Sequence, residues 1–186
     1  MRITNSSSLI VSFDTSAALN FMVYLQNALL PVSQGRPKFP RLKPIGLLDE
    51  KFKQLTYAWE ETLSFLQIKE MDTFPYGYEK FYREFFDSEE ALKECFLTFY
   101  SWWESGGGCY LVSSVGNKSV IYDYAVGQSG EADTKLQVQI VYDEVLSTCS
   151  VVRQGFMVLS IPELETLHHT GEITDEIKGK IRKALS

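Results

Sequence analysis

The sequence is poor in histidine. It has two, His168 and His169, side by side. Adjacent residues on a helix point about 100° apart, so the pair does not close readily on one metal. No third histidine exists to complete a site. Cysteine is scarce as well. Cys95, Cys109 and Cys149 are far apart, odd in number and flanked by apolar or small residues, and no C-x-x-C occurs. Two buried thiols and one spare are expected, with no tetrahedral zinc set and no disulfide framework. No metal and no cofactor is expected. Long apolar runs are missing: no segment approaches the ~18 residues that span a bilayer. The run Leu9-Ile10-Val11-Ser12-Phe13 is too short for the core of a leader. Cytoplasmic residence without membrane contact is therefore expected. Positive charge is in deficit, 18 Lys+Arg against 24 Asp+Glu, a net charge of -6. Nucleic-acid binders gain affinity by neutralising phosphates, so this balance argues against nucleic acid as a partner. Glycine-rich phosphate loops are also absent. Gly106-Gly107-Gly108 matches neither G-x-x-x-x-G-K-[ST] nor G-x-G-x-x-G, and it follows a helical pattern where a phosphate loop would precede one. There is no G-x-S-x-G.

What is present is an ordinary globular composition. The 186 residues are 45% hydrophobic and 23% charged, enough for one domain with a full core. The acidity sits in the middle of the chain: residues 51–100 and 101–150 each carry a net charge of -4. A field of that sign attracts cationic partners.

The first half reads as helical. A helix is expected from Ser16 to about Leu30, capped by Asp14, Thr15 or Ser16, stopped by Pro31 and apolar on more than one side. Residues 31–46 hold four of the six prolines and a basic cluster, Arg36, Lys38, Arg41 and Lys43, so this stretch is expected to be extended. Leu48, Phe52, Leu55, Trp59, Leu63 and Leu66 form one helical stripe. Another helix is expected from Tyr76 to Phe86. Asp87-Ser88-Glu89-Glu90 has the form of a capping box opening a fourth, which the glycines at 106–108 end.

The period then reads as 2. Tyr110-Leu111-Val112, Ser119 to Val126, Leu136 to Tyr142, Val145 to Arg153 and Phe156 to Ile161 are expected strands, with turns at Gly116-Asn117 and Gly155. Pro162 opens a helix to about His169, and Thr174 caps a last one ending near Leu185. The expected fold is α+β, a single domain over 1–186. N-terminal helices (1–106) pack on an antiparallel meander of four or five strands (107–161), followed by a C-terminal helical tail (162–186).

Three functions compete. The favoured one is a non-enzymatic, acidic protein-binding module, an inhibitor or immunity-type neutraliser of a basic protein such as a bacterial toxin. Bacterial immunity proteins share this general profile of composition, though no motif links them. The expected contact lies at the loop ends of the sheet: Asp123, Glu131, Asp133, Asp143 and Glu144, with Tyr122, Tyr124 and Tyr142 beside them. Acids there would steer a cationic partner and make charge-assisted hydrogen bonds to its Arg and Lys. A second acidic patch is Glu60, Glu61, Glu89, Glu90 and Glu94 on the helices. The first rival is a metal-dependent nuclease or hydrolase using Asp123, Asp133 and Lys135. An acid followed by acid-x-Lys on the next strand is the layout of restriction-type nuclease cores, where the acids hold Mg²⁺. The second rival is a carrier of a small apolar ligand, marked by an aromatic pocket with few polar groups.

Overall fold

The computed structural model describes residues 9–30, 38–68, 73–105, 108–115, 118–129 and 134–186. In chain order the elements are β1 (Leu9–Asp14), α1 (Ala17–Leu29), a 3-10 segment (Asp49–Gln54) running into α2 (Leu55–Ile68), and α3 (Glu79–Tyr82) with a 3-10 turn (Arg83–Phe85). Then come α4 (Glu89–Trp103), α5 (Cys109–Ser114), α6 (Lys118–Gln128), β2 (Thr134–Val141), β3 (Val152–Arg153), β4 (Phe156–Ser160), α7 (Ile161–Thr170) and α8 (Asp175–Leu185). The α+β class holds. The chain divides into two compact units. One takes the described residues of Ser16–Leu111 and Val145–Ser150, the other those of Met1–Thr15, Val112–Glu144 and Val151–Ser186.

The helical unit follows its sequence signals at α1, α2 and α4, whereas the helix expected from Tyr76 to Phe86 is a single α turn, Glu79–Tyr82, with a 3-10 turn at Arg83–Phe85. The Ser16 side chain accepts from Leu19 N at the start of α1, satisfying one of the amides that a helix leaves free at that end. This helix is buried nearly all round, as a helix apolar on several sides must be. Phe21 sits at the centre of an aromatic core, with ring centroids of Phe96, Tyr82, Phe99 and Phe74 at 4.8, 4.9, 5.2 and 5.3 Å. The α2 stripe buries Leu55, Trp59, Leu63 and Leu66. Its expected first turns, from Leu48 through Phe52, are a tighter 3-10 segment with no fully buried residue. The Ser88 side chain accepts from Ala91 N and opens α4. The stretch 46–48 pairs with 85–87 through Leu48 N to Phe85 O and Asp87 N to Gly46 O, both 3.0 Å. Gly46 has φ +73, and a Cβ there would meet Asp87 Oδ1 at 2.5 Å, so only glycine fits this approach.

The sheet unit departs from the expected meander. Its four strands lie in the order β1-β2-β4-β3. The pairs β1–β2 and β2–β4 are parallel, and only the short β3–β4 pair is antiparallel. Parallel neighbours need long connections. The chain supplies one by leaving the sheet after Asp14 and returning at Thr134. Three expected strands are corrected. Tyr110-Leu111-Val112 lies in α5 and Ser119 to Val126 in α6. The alternation of Val120, Tyr122, Tyr124 and Val126 suggests a strand, yet the residues that α6 buries are Ile121 and Ala125, one helical turn apart. Of Val145 to Arg153, only Val152–Arg153 pairs. The stretch before it bonds instead to side chains of α1 and α2: Leu146 N donates to Gln26 Oε1, Ser150 N to Glu60 Oε1, and Trp59 Nε1 to Ser150 O. Conversely, Leu9–Asp14 is a strand in register with β2, Leu9 opposite Thr134 and Asp14 opposite Gln139. The turn at Gly116-Asn117 lies outside the described residues. Gly155 makes the expected turn with φ +68, and Gly171 ends α7 in the left-handed conformation.

Candidate functional site

The expected sheet-end residues are spread along the unit. Tyr122, Asp123 and Tyr124 are consecutive on α6, the first two exposed and Tyr124 half-buried. On a strand the two tyrosines would share a face; on a helix the three side chains fan over about 200°. Tyr142 and Asp143 are half-buried and Glu144 is exposed, all just beyond the carboxyl end of β2. Asp143 Oδ1 accepts from Glu144 N at 2.8 Å. Glu131 and Asp133 lie outside the described residues. Lys135 is exposed at the opposite end of β2 from Asp143, with roughly 20 Å of strand between Lys135 and Val141 at ~3.3 Å per residue. The restriction-type layout needed Asp123 on a strand preceding Lys135, and Asp123 stands on a helix. Among the described residues, no three His, Cys, Asp or Glu side chains gather as a metal would require. The imidazoles of His168 and His169 are exposed at the end of α7.

None of the three cysteines forms a disulfide. Burial pushes the Cys95 thiol up to about 12 and that of Cys149 above its ordinary range. Neither is a poised nucleophile. In the sheet unit, Ser160 N and Oγ both donate to Glu163 Oε2, and Lys180 Nζ donates to Glu163 Oε1. These groups hold the fold together. The carboxylate caps α7, and the ammonium ties α8 to it.

The helical unit offers two surface features. The first is the exposed face of α4. Residues 87–104 hold five acids, Asp87, Glu89, Glu90, Glu94 and Glu104, against one cation, Lys93, and all six are exposed. Glu89 and Glu90 sit in the first turn, where anions complement the helix dipole. Glu94 and Glu104 lie beyond that turn and gain nothing from it. Of the other acids expected on this patch, Glu60 and Glu61 are half-buried, and Glu60 holds Ser150 N.

The second feature is a groove of about 570 Å³ between α4 and the segment running from Pro75 through α3. Leu92 and Phe96 form its floor, with Pro75, Leu97 and Tyr100 around them. The floor is held from below: Phe96 packs on Phe21 and Phe74 at 4.8 and 5.3 Å. Tyr100 stacks on Phe74 and donates its hydroxyl to Phe74 O. Glu79, Lys80, Arg83, Glu89 and Lys93 make the rim. The sequence pattern does not predict this groove. Its traces in the sequence are Tyr100, an aromatic left over from the core stripe, and Leu97, an apolar residue off the buried face of α4 that is 68% exposed.

Compared with known proteins, the chain matches no family model, no curated protein and no solved structure. Among the described residues, no helix is long and apolar enough to cross a membrane.

Proposed function

We propose that this is a non-enzymatic module that binds a basic protein, as an inhibitor of the immunity type does, and that the acidic face of α4 makes the contact. The observation that carries this reading is the run of five exposed acids against one lysine over 87–104. The face is built on a helix anchored by Leu92, Cys95, Phe96, Phe99 and Trp103, so its backbone is already ordered at encounter. Acids at an interface raise the association rate and choose the partner's sign. The loop acids Asp143 and Glu144 are the second arm of the test.

The experiment is capture of partners from the source cell by the wild-type chain and by two variants. One carries Glu90→Gln, Glu94→Gln and Glu104→Gln; the other carries Asp143→Asn and Glu144→Gln. The reading predicts a basic protein retained by wild type, lost with the first variant and retained by the second. Retention by the first with loss by the second moves the contact to the sheet unit. A captured partner that is acidic, or one held equally by both variants, contradicts it.

A further inference from the structure

The groove beside α4 has a chemistry different from the acidic face, and it suggests a ligand that does not depend on the protein-binding reading. Its floor is apolar, and packing beneath Phe96 and Tyr100 preforms it. Its volume, about 570 Å³, lies within the ~300–1,000 Å³ of small-molecule sites.

The rim carries three cations and two anions, in a protein whose net charge is -6. Most of those charges are engaged. Glu79 Oε2 accepts from Gly77 N at 2.8 Å. Glu89 and Lys93 face each other at 3.8 Å. The Lys80 ammonium lies over the rings of Phe65 and Phe81, at 5.1 and 4.8 Å. Arg83 is different: its guanidinium is exposed, with no ion-pair or side-chain hydrogen-bond partner among the described residues. A planar guanidinium beside an apolar trough matches an anionic head on an apolar body.

We propose that this groove binds an amphipathic organic anion, its apolar body on Leu92, Phe96 and Tyr100 and its carboxylate or sulfonate at Arg83. The probe is 8-anilinonaphthalene-1-sulfonate, titrated into the full chain by fluorescence. Its neutral parent, N-phenyl-1-naphthylamine, serves as the control. The expected result is one saturable site per chain for the sulfonate. Arg83→Gln weakens the sulfonate about tenfold, as loss of a charge-assisted hydrogen bond does, and leaves the neutral dye unchanged. Leu97→Asp weakens both. Arg83 and Leu97 are exposed, so both variants keep the wild-type circular dichroism and melting curve. Glu90→Gln with Glu94→Gln leaves dye binding unchanged, which separates this site from the acidic face. Absence of a saturable site, or affinities that neither variant alters, overturns the proposal. Weakening by Leu97→Asp alone overturns the assignment of an anion.

Discussion

Trp59 joins two roles in one side chain. Its ring is 2% exposed on the α2 stripe, and its Nε1–H donates to Ser150 O at 2.7 Å. Trp59→Ala removes both and is expected to cost about 3–5 kcal/mol. Trp59→Phe keeps most of the packing, loses the hydrogen bond and costs about 1–3 kcal/mol. Denaturant midpoints of the two variants check the order. Cys95 gives a pH-dependent counterpart. Burial raises its thiol from 9.0 to about 12, and Tyr24 beside it rises from 10.0 to about 12. Between those limits the unfolded chain loses protons that the folded chain keeps. Stability is therefore at its full value below about pH 9 and falls as pH rises toward about 12. Melting curves at neutral pH and at about pH 10 are expected to separate in wild type, and to separate less in Cys95→Ala.

At the scale of elements, the capped and stopped helices were legible and the sheet was not. Ser16, Ser88 and Thr174 each accept from the backbone of the helix they open, because a short hydroxyl side chain at that position answers a local need. Pro162 and Gly171 bracket α7 for equally local reasons. Strand pairing is not local. The partner of β1 stands beyond α1 to α6 in the chain, and nothing in Leu9–Asp14 names that partner. The alternation in α6 was a coincidence of composition that tertiary packing overrode. The candidate site was legible in part. The acids at Glu89, Glu90 and Glu94 were visible as charges, whereas the groove needed the approach of Pro75, α3 and α4. One contact between elements is open to direct measurement. Lys180 and Glu163 are 12% and 17% exposed and join α8 to the start of α7. Lys180→Met leaves the carboxylate without its cation. The expected cost is about 2–4 kcal/mol, below that of a fully buried pair because both groups keep some solvent. Glu163→Gln combined with Lys180→Met is expected to cost less than the sum of the single changes, and a double-mutant cycle in denaturant reads the difference.

For the whole molecule, the distribution of charge matters more than its total. Five acids of the central stretch lie exposed along 87–104, while the groove next to α4 has three cations against two anions at its rim. The two surfaces thus differ in the sign of their net charge. The protein-binding reading rests on the acidic one. Exposed charges act mainly on encounter, and salt screens them over a Debye length of about 8 Å at physiological strength. The most direct measurement is the dependence of the association rate on salt, for the captured basic partner, in wild type and in the variant with Glu90→Gln, Glu94→Gln and Glu104→Gln. The account predicts a rate that falls steeply with salt in wild type, a markedly shallower slope in the variant, and dissociation rates that change far less than association. Equal slopes in the two proteins would contradict it.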